Sequence, residues 1–345
     1  MNFPKKVSLT ITNTCNLRCK MCGQWSEEGY IQNNKTVLKN EMDLDNWKKV
    51  IDELSDNKVK MVYIRGGEPF LFPGIIELLK YIKSKNIFMA IDSNGTFLEK
   101  YAEDLHAIGN MHITISIDGP EETHDFVRGI KGTFQKIKNG IAKLDELDDP
   151  VNPRISKSIC FTASNNNYKT LGQLPDVARE LGIKSINVMP YYYVPEETGL
   201  KYENELRELG CEAFSWRGFH HDESEVDPDE FIEQHRIYKN KLDGIEDFPF
   251  MPLTEEKYKT WFSDAETPVG PTHCENIEKL IDIQPNGDVN FCVDYPDYVF
   301  GNAKEKSIKE LWNSDEANRF REYIRNRPLS VCYRCGAKFM SQDFD

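Results

Sequence analysis

Cys15, Cys19 and Cys22 stand in a C-x-x-x-C-x-x-C array within the stretch TCNLRCKMCGQW. Thiolates are soft metal ligands, and a loop with three and then two intervening residues can wrap a cube corner by corner where one helical turn could not. Four thiolates would complete a tetrahedral zinc site or a four-iron cluster and close it to further ligands. Three on a [4Fe-4S] cube leave one iron without a protein ligand, able to bind a small chelating molecule. A second set consists of Cys274, Cys292 and the pair in Cys332-Tyr333-Arg334-Cys335. These four make a complete ligand set, for an iron-sulfur cluster or a structural zinc. A fully ligated cluster cannot chelate substrate without losing a ligand, so its task is to pass electrons.

Other groups suit a bound small molecule. Gly66 and Gly67 lack side chains, so the backbone can approach a ligand closely, and Glu68 beside them can accept from an ammonium. Ser93, Asn94, Ser116 and Asp118 offer hydroxyl, amide and carboxylate groups. Cys160 reads as a small buried hydrophobe and Cys211 as either packing or a hydrogen-atom donor to a substrate radical. His220 and His221, in an acidic stretch, read as solvated imidazoles rather than metal ligands.

The elements that must hold these residues alternate in type. Short β-branched or apolar runs at 7–12, 60–65, 87–92, 111–118, 156–162 and 185–191 are each followed by a helical pattern, the signature of βα units and a parallel sheet. Helices are expected from Leu44, capped by Asp43, after Pro73 with Ile75, Ile76, Leu78, Leu79 and Ile82 on one stripe, and over 98–108, 134–147 and 171–181. Six units predict an incomplete β/α barrel whose chemistry lies in the loops at the carboxyl ends of the strands. Cys15, Cys19 and Cys22 follow the first strand, Gly66 to Pro69 the second and Ser93 to Gly95 the third, while Ser116 and Asp118 end the fourth. All four groups should therefore open onto one face. The rhythm stops at 196–270, an acidic helical bridge or insertion that could also serve as a lid. A hairpin follows, with Asn286-Gly287 turning between 280–284 and 288–292, and then a helix over 307–326.

Composition narrows the rest. Over 345 residues, 57 Asp and Glu against 43 Lys and Arg give a net charge of −14, which repels phosphate backbones and anionic lipid. Nucleic acid and membrane surfaces are thereby disfavoured as partners. The opening MNFPKKVSLT has no apolar signal region and no run reaches the roughly 18 apolar residues of a membrane span. Nine cysteines in a chain read as cytoplasmic more often hold metal or do redox work than form disulfides.

On the C-x-x-x-C-x-x-C array and the Gly-Gly-Glu-Pro loop, the chain resembles the radical S-adenosylmethionine (radical SAM) superfamily. The resemblance implies an α/β fold, a partial (β/α)6 barrel over residues 1–195. It also implies a [4Fe-4S] cluster on Cys15, Cys19 and Cys22 whose open iron binds S-adenosylmethionine, which is cleaved reductively to methionine and a 5′-deoxyadenosyl radical. Met21 would lie near the adenine, with backbone and apolar groups around Val188 to Pro190. Gly66, Gly67 and Glu68 would hold the methionine amine. Ser93, Asn94, Ser116 and Asp118 would serve the ribose or carboxylate, and Arg128, in HDFVRGIKGTF, would clamp a carboxylate with its forked guanidinium. Residues 271–345, a hairpin plus helix, resemble the auxiliary-cluster extensions called SPASM and Twitch domains. No cysteine follows Cys335, so one auxiliary [4Fe-4S] cluster on Cys274, Cys292, Cys332 and Cys335 is expected.

The resemblance implies an enzyme that abstracts hydrogen from its substrate, served by a flavodoxin or ferredoxin electron donor. Modification of a peptide or protein side chain, by oxidation, crosslinking or epimerisation, is one reading. The first strand opens the chain, which argues against a separate amino-terminal peptide-recognition domain. Dehydrogenation of a small hydroxylated metabolite, such as an aminocyclitol or sugar, is the second reading, and a zinc-binding interaction module is a third of another class.

Overall fold

The computed structural model describes residues 3–149 and 153–339. In chain order the elements begin β1 (Lys6–Thr10), α1 (Tyr30–Asn33), α2 (Leu44–Asp56), β2 (Met61–Arg65), α3 (Ile75–Ser84), β3 (Phe88–Ser93), α4 (Leu98–Ile108), β4 (Met111–Ser116), α5 (Glu121–Arg128), α6 (Thr133–Leu147), β5 (Ile155–Ala163), α7 (Leu174–Glu180) and β6 (Ser185–Pro190). They continue with α8 (Glu196–Glu208), α9 (Pro228–Asn240), β7 (Glu246–Asp247), α10 (Glu255–Ser263), α11 (Asn276–Lys279), β8 (Leu280–Ile283), β9 (Val289–Asn290), α12 (Ile308–Trp312) and α13 (Asp315–Asn326).

Strand parity sets the architecture. Val7, Leu9, Val62, Ile64, Met89, Ile91, Ile113, Ile115, Ile159, Phe161, Ile186 and Val188 are buried in one apolar core with the stripes of the helices. The alternate positions carry Ser8, Thr10, Tyr63, Arg65, Asp92, His112, Thr114, Ser116, Ser158, Cys160, Thr162 and Asn187. Because successive strand side chains point to opposite faces, one face of the sheet is sealed under helices and the other presents polar groups. The strands stand in the order β7-β6-β5-β4-β3-β2-β1-β8-β9, parallel through β8, with β9 antiparallel at the far edge. The sheet is open, and its six central strands are the expected partial barrel. Parallel pairing of β8 with β1, Val7 opposite Ile281, carries the carboxyl-terminal hairpin into the same sheet.

Local chemistry explains the helices. Asp43 caps α2 by accepting from the Asn46 amide, and Trp47, Val50, Ile51 and Leu54 form its buried face. The stretch 171–181, expected as one helix, is a 3₁₀ segment (Tyr168–Gln173) followed by α7. Pro175 lies in the first turn of α7, where a residue with no N–H is tolerated and from which an α-helix cannot extend backwards. The helix expected over 307–326 is two: Ser314 stops α12 and caps α13, its hydroxyl accepting from the Ala317 amide at 3.1 Å. In the hairpin only Gly287 takes a left-handed conformation, at φ 92°, and β9 is short because Val289 turns its hydrogen bonds to Gly301 and Phe300. Among the described residues no helix is long and apolar enough to cross a membrane.

Candidate functional site

The loop after β1 is fixed by its own side chains. Trp25 is buried and donates its indole N–H to the Asn13 carbonyl at 2.8 Å. Arg18 lies 4.2 Å over the Trp25 ring and donates to the carbonyls of Cys15 and Leu17. The Cys22 amide closes a turn onto the Cys19 carbonyl at 3.1 Å. The three thiols consequently line one cavity of about 300 Å³ at the carboxyl ends of the central strands. Burial pushes Cys15 up to about 12, with the neighbouring Cys19, Cys22 and Glu68 adding to it. Cys19 is pushed up to about 11 by burial, against the opposing pull of Arg128. Such thiols stay protonated until a cation replaces the proton.

Of the residues singled out from sequence, Met21, Gly66, Gly67, Ser93, Asn94, Ser116 and Arg128 share the cavity wall with Cys15, Cys19 and Cys22. The glycines there are needed for backbone packing: a Cβ at Gly66 would sit 2.5 Å from the Thr12 carbonyl oxygen and one at Gly67 2.3 Å from that of Thr14. Gly67 and Glu68 donate their amides to Thr12 and Thr14, each at 2.8 Å, extending the β1–β2 pairing into the loops. Glu68 stands behind the wall, fully buried. Its carboxylate accepts from the Asn94 amide at 2.8 Å, the Ser93 hydroxyl at 2.9 Å and the Phe70 amide at 3.1 Å. Burial nonetheless pushes it up to about 7, against those donors. Asn94 in turn donates to Asn16, which donates to Thr96, so the cysteine loop and the loop after β3 form one polar assembly.

Asp118 is fully buried and its carboxylate ion-pairs with Arg128 Nε at 2.6 Å. Arg128 thus meets a carboxylate belonging to the chain itself. Val188 is buried under the helices, sharing the parity of Ile186, while Met189 and Pro190 reach the cavity. Cys160 contacts Met189 Sδ at 3.8 Å and receives the Asn187 amide at 3.7 Å. Cys211 is half-buried near Arg319 and Asp297 and lines neither thiol cavity. His220 faces Asp222 and Trp216, and His221 packs edge-on against Tyr191.

Sequence reasoning missed Arg65, Asp92, Thr162, Tyr191, Tyr192 and Phe219, all of which line the cavity. The signal for the first three was parity, since each is a polar residue at the carboxyl end of its strand on the face opposite the core. Phe219 carried no local signal. It is delivered by the bridge, where the 3₁₀ segment Ser215–Phe219 sits so close to the cysteine loop that a Cβ on Gly23 would fall 2.3 Å from the Phe219 ring.

The second thiol set also converges. Cys274, Cys292, Cys332 and Cys335 line a cavity of about 230 Å³ with Tyr295 and Lys338. Burial pushes Cys332 up to about 12 and raises Cys292 and Cys335 well above their ordinary value, each thiol reinforcing the others. Lys338, nearly buried, donates to the Cys332 carbonyl at 3.1 Å and supplies positive charge to this set. Among the described residues no three His, Cys, Asp or Glu side chains are grouped for a single metal ion. The fit to larger groups rests on the donor chemistry: three thiols on a wall with open ligand space, and four thiols closing a second, more apolar chamber.

A parallel α/β scaffold with a three-thiol loop at the carboxyl ends of its strands and a second, four-thiol chamber has the donor chemistry that iron-sulfur clusters need. Residues 9–161 match the family model of the radical SAM superfamily, and residues 274–336 match the SPASM model, an iron-sulfur cluster-binding domain. The chain belongs to the radical SAM superfamily and carries a SPASM domain, and its cofactors are S-adenosylmethionine and [4Fe-4S] clusters. Cys15, Cys19 and Cys22 would hold such a cluster, which when bound would supply the electron for reductive cleavage of S-adenosylmethionine. Among curated relatives, an AdoMet-dependent heme synthase of Methanosarcina barkeri is 30% identical over 200 residues, 57% of this chain and 53% of that protein. The chain thus matches about half the length of that relative. The antilisterial bacteriocin subtilosin biosynthesis protein AlbA of Bacillus subtilis is 25% identical over 98% of this chain and 68% of its own. Streptococcus suis SuiB, solved bound to precursor peptide SuiA, superposes with a TM-score of 0.66 at 15% identity, over 98% of this chain and 72% of that one.

Proposed function

We propose that this chain is a radical SAM enzyme that abstracts a hydrogen atom from a peptide or protein side chain, leading to oxidation, a crosslink or epimerisation. The observation that carries the radical chemistry is the wall on which Cys15, Cys19 and Cys22 stand with Gly66, Gly67, Ser93, Asn94 and Ser116. In this reading the thiols hold the first cluster, Gly66 and Gly67 admit the methionine moiety, and Glu68 fixes the Ser93-Asn94 loop that faces it. Cys274, Cys292, Cys332 and Cys335 hold the second cluster, which exchanges electrons with the substrate radical or the first cluster. A flavodoxin or ferredoxin is the reductant. Support for a peptide comes from the AlbA relative, aligned over nearly the whole chain, and from a fold that accommodates a precursor peptide in SuiB. The second reading is dehydrogenation of a small hydroxylated metabolite; the heme synthase relative, at the higher identity, supports only its wider class, a small-molecule substrate.

Anaerobic reconstitution should give about eight irons per chain, from two four-iron clusters, and 5′-deoxyadenosine when reductant and S-adenosylmethionine are added. Replacing Cys15, Cys19 and Cys22 together by Ala should halve the iron and abolish 5′-deoxyadenosine, whereas surviving cleavage would end the proposal. To separate the two readings, extract from cells grown in deuterated medium is split into peptide and small-molecule fractions. Deuterium entering 5′-deoxyadenosine from the peptide fraction supports the first reading, and entry from the small-molecule fraction alone replaces it with the second.

A further inference from the structure

The helix α5 ends against the first cysteine loop, and its last residue does more than pack. The Lys20 amide donates to the Val127 carbonyl at 2.9 Å and the Arg18 amide to the Arg128 carbonyl at 3.4 Å, stitching the helix end along the loop on both sides of Cys19. Gly129, at φ 76°, lets the chain leave there, since a Cβ on it would lie 2.8 Å from the Arg18 carbonyl oxygen. Arg128 is thereby held with its guanidinium buried. Its Nε faces the Asp118 carboxylate at 2.6 Å and its Nη1 donates to Cys19 Sγ at 3.6 Å. Asp118 is itself fixed: its amide donates to His124 Nδ1 at 3.2 Å and its carboxylate accepts from the Thr162 amide at 3.5 Å. Exposures of 8% for Arg128, 9% for Cys19 and 0% for Asp118 and His124 place these contacts largely out of solvent.

This geometry has a redox meaning. Reducing an iron-sulfur cluster adds negative charge that is shared with its thiolate sulfurs. A donor aimed at one of those sulfurs favours the reduced state, and hydrogen bonds to sulfur are among the levers that set cluster potentials. The ionised guanidinium makes the bond stronger than a neutral amide would. Asp118 balances its charge, so the effect is directed at one sulfur rather than spread as net charge. We propose that Arg128 is a positioning residue that makes the first cluster easier to reduce by donating to the Cys19 sulfur, with Asp118 aiming its guanidinium. The inference rests on Cys15, Cys19 and Cys22 holding that cluster.

The test is a redox titration of the reconstituted full-length protein followed by electron paramagnetic resonance, the first cluster being the one whose signal changes when S-adenosylmethionine is added. Arg128→Met should lower its reduction equilibrium constant about tenfold, a downward shift of about 59 mV for a one-electron couple, with the other cluster unmoved. Arg128→Lys, which keeps the charge but cannot reach Asp118 and Cys19 with one fork, should fall between the two. An unchanged constant in Arg128→Met, or an equal shift in both clusters, overturns the inference. Should these variants fail to fold, wild-type protein grown with ¹⁵N-arginine gives a second readout. The reduced first cluster should show a ¹⁵N hyperfine coupling, and its absence also overturns the inference. Persistence of the S-adenosylmethionine-responsive signal after Cys15, Cys19 and Cys22 are replaced would instead overturn the cluster assignment beneath it.

Discussion

At the scale of single residues, the site turns on buried polar groups held by other groups of the chain. Glu68 is the clearest case, a carboxylate at 0% exposure carrying two loop amides and a hydroxyl. Its ordinary value of 4.5 is raised to about 7 by burial. The sign follows from which state holds the proton. Between pH 4.5 and 7 the folded chain keeps a proton that the unfolded chain has lost, so this group's contribution is fully present below pH 4.5 and is lost as pH rises through 7. Measured against Glu68→Gln, which cannot titrate, the wild-type cluster-free protein should therefore lose a few kcal/mol across that window, at about 1.4 kcal/mol per unit. Urea unfolding of both proteins at pH 4.5, 6 and 8 reads it, and a difference independent of pH would mean that folding does not raise Glu68 above its ordinary value. The side chain also explains a limit of motif reading. Gly-Gly-Glu-Pro suggests a ligand for an ammonium, yet of the three hydrogen bonds that occupy Glu68 only that from Phe70 is local, and the other two come from residues 25 and 26 positions away, beyond any local pattern.

At the scale of elements, the site depends on loops pressed together with no room for a side chain between them. Gly67→Ala places a Cβ 2.3 Å from the Thr14 carbonyl oxygen and 2.6 Å from that of Asn13, both backbone atoms of the cysteine loop. The loops must part, at a cost of about 1–3 kcal/mol or more for overpacking, and Cys15 moves with them. The variant should show a lower melting temperature and less iron at the first site while the second cluster keeps its optical signal. Full occupancy of both would show that the contact can relax. Elements of this kind were largely legible. Six strands and the helices α2, α3, α4 and α6 could be read because periodicity, Asp43 and Pro73 are local signals. The Ser314 break, missed in the helix expected over 307–326, had a local signal too, a Ser followed by Asp and Glu. Parity could have found Arg65, Asp92 and Thr162, because the strands were recognised. Phe219 and Lys338 could not be found, since they reach their cavities through packing between segments far apart in the chain.

At the scale of the molecule, the two thiol sites are joined by a single hydrogen-bonded sheet. β8 completes the edge of β1, and Asp282 on β8 accepts from Thr10 Oγ1 at 3.2 Å and from Gln284 within the sheet interior. Burial raises Asp282 to about 6, with Arg65 on the cavity wall opposing it, so the first site borrows charge from the second domain. Asp297, just past Cys292, clamps the bridge: it accepts from Tyr202, from the amides of Phe214 and Ser215, and from the Ser215 hydroxyl at 2.5 Å. That clamp seats the segment carrying Phe219 over the cysteine loop. Residues 271–345, which carry the second thiol set, thereby seat a segment that walls the first cavity without lining it themselves. Removing residues 271–345 would bare the edge of β1, whose unpaired N–H and C=O groups invite pairing between chains, and would strip Arg65 of Asp282 and Asp294. The shortened chain should accordingly aggregate and retain well under the roughly four irons per chain of one intact cluster, by size-exclusion chromatography and iron analysis. A monomeric 1–270 fragment with a full first cluster would show that the barrel stands alone and that the shared sheet is incidental. The opposite result would show that the first thiol loop is not assembled without residues 271–345, a structural reason for both thiol sets to occupy one chain.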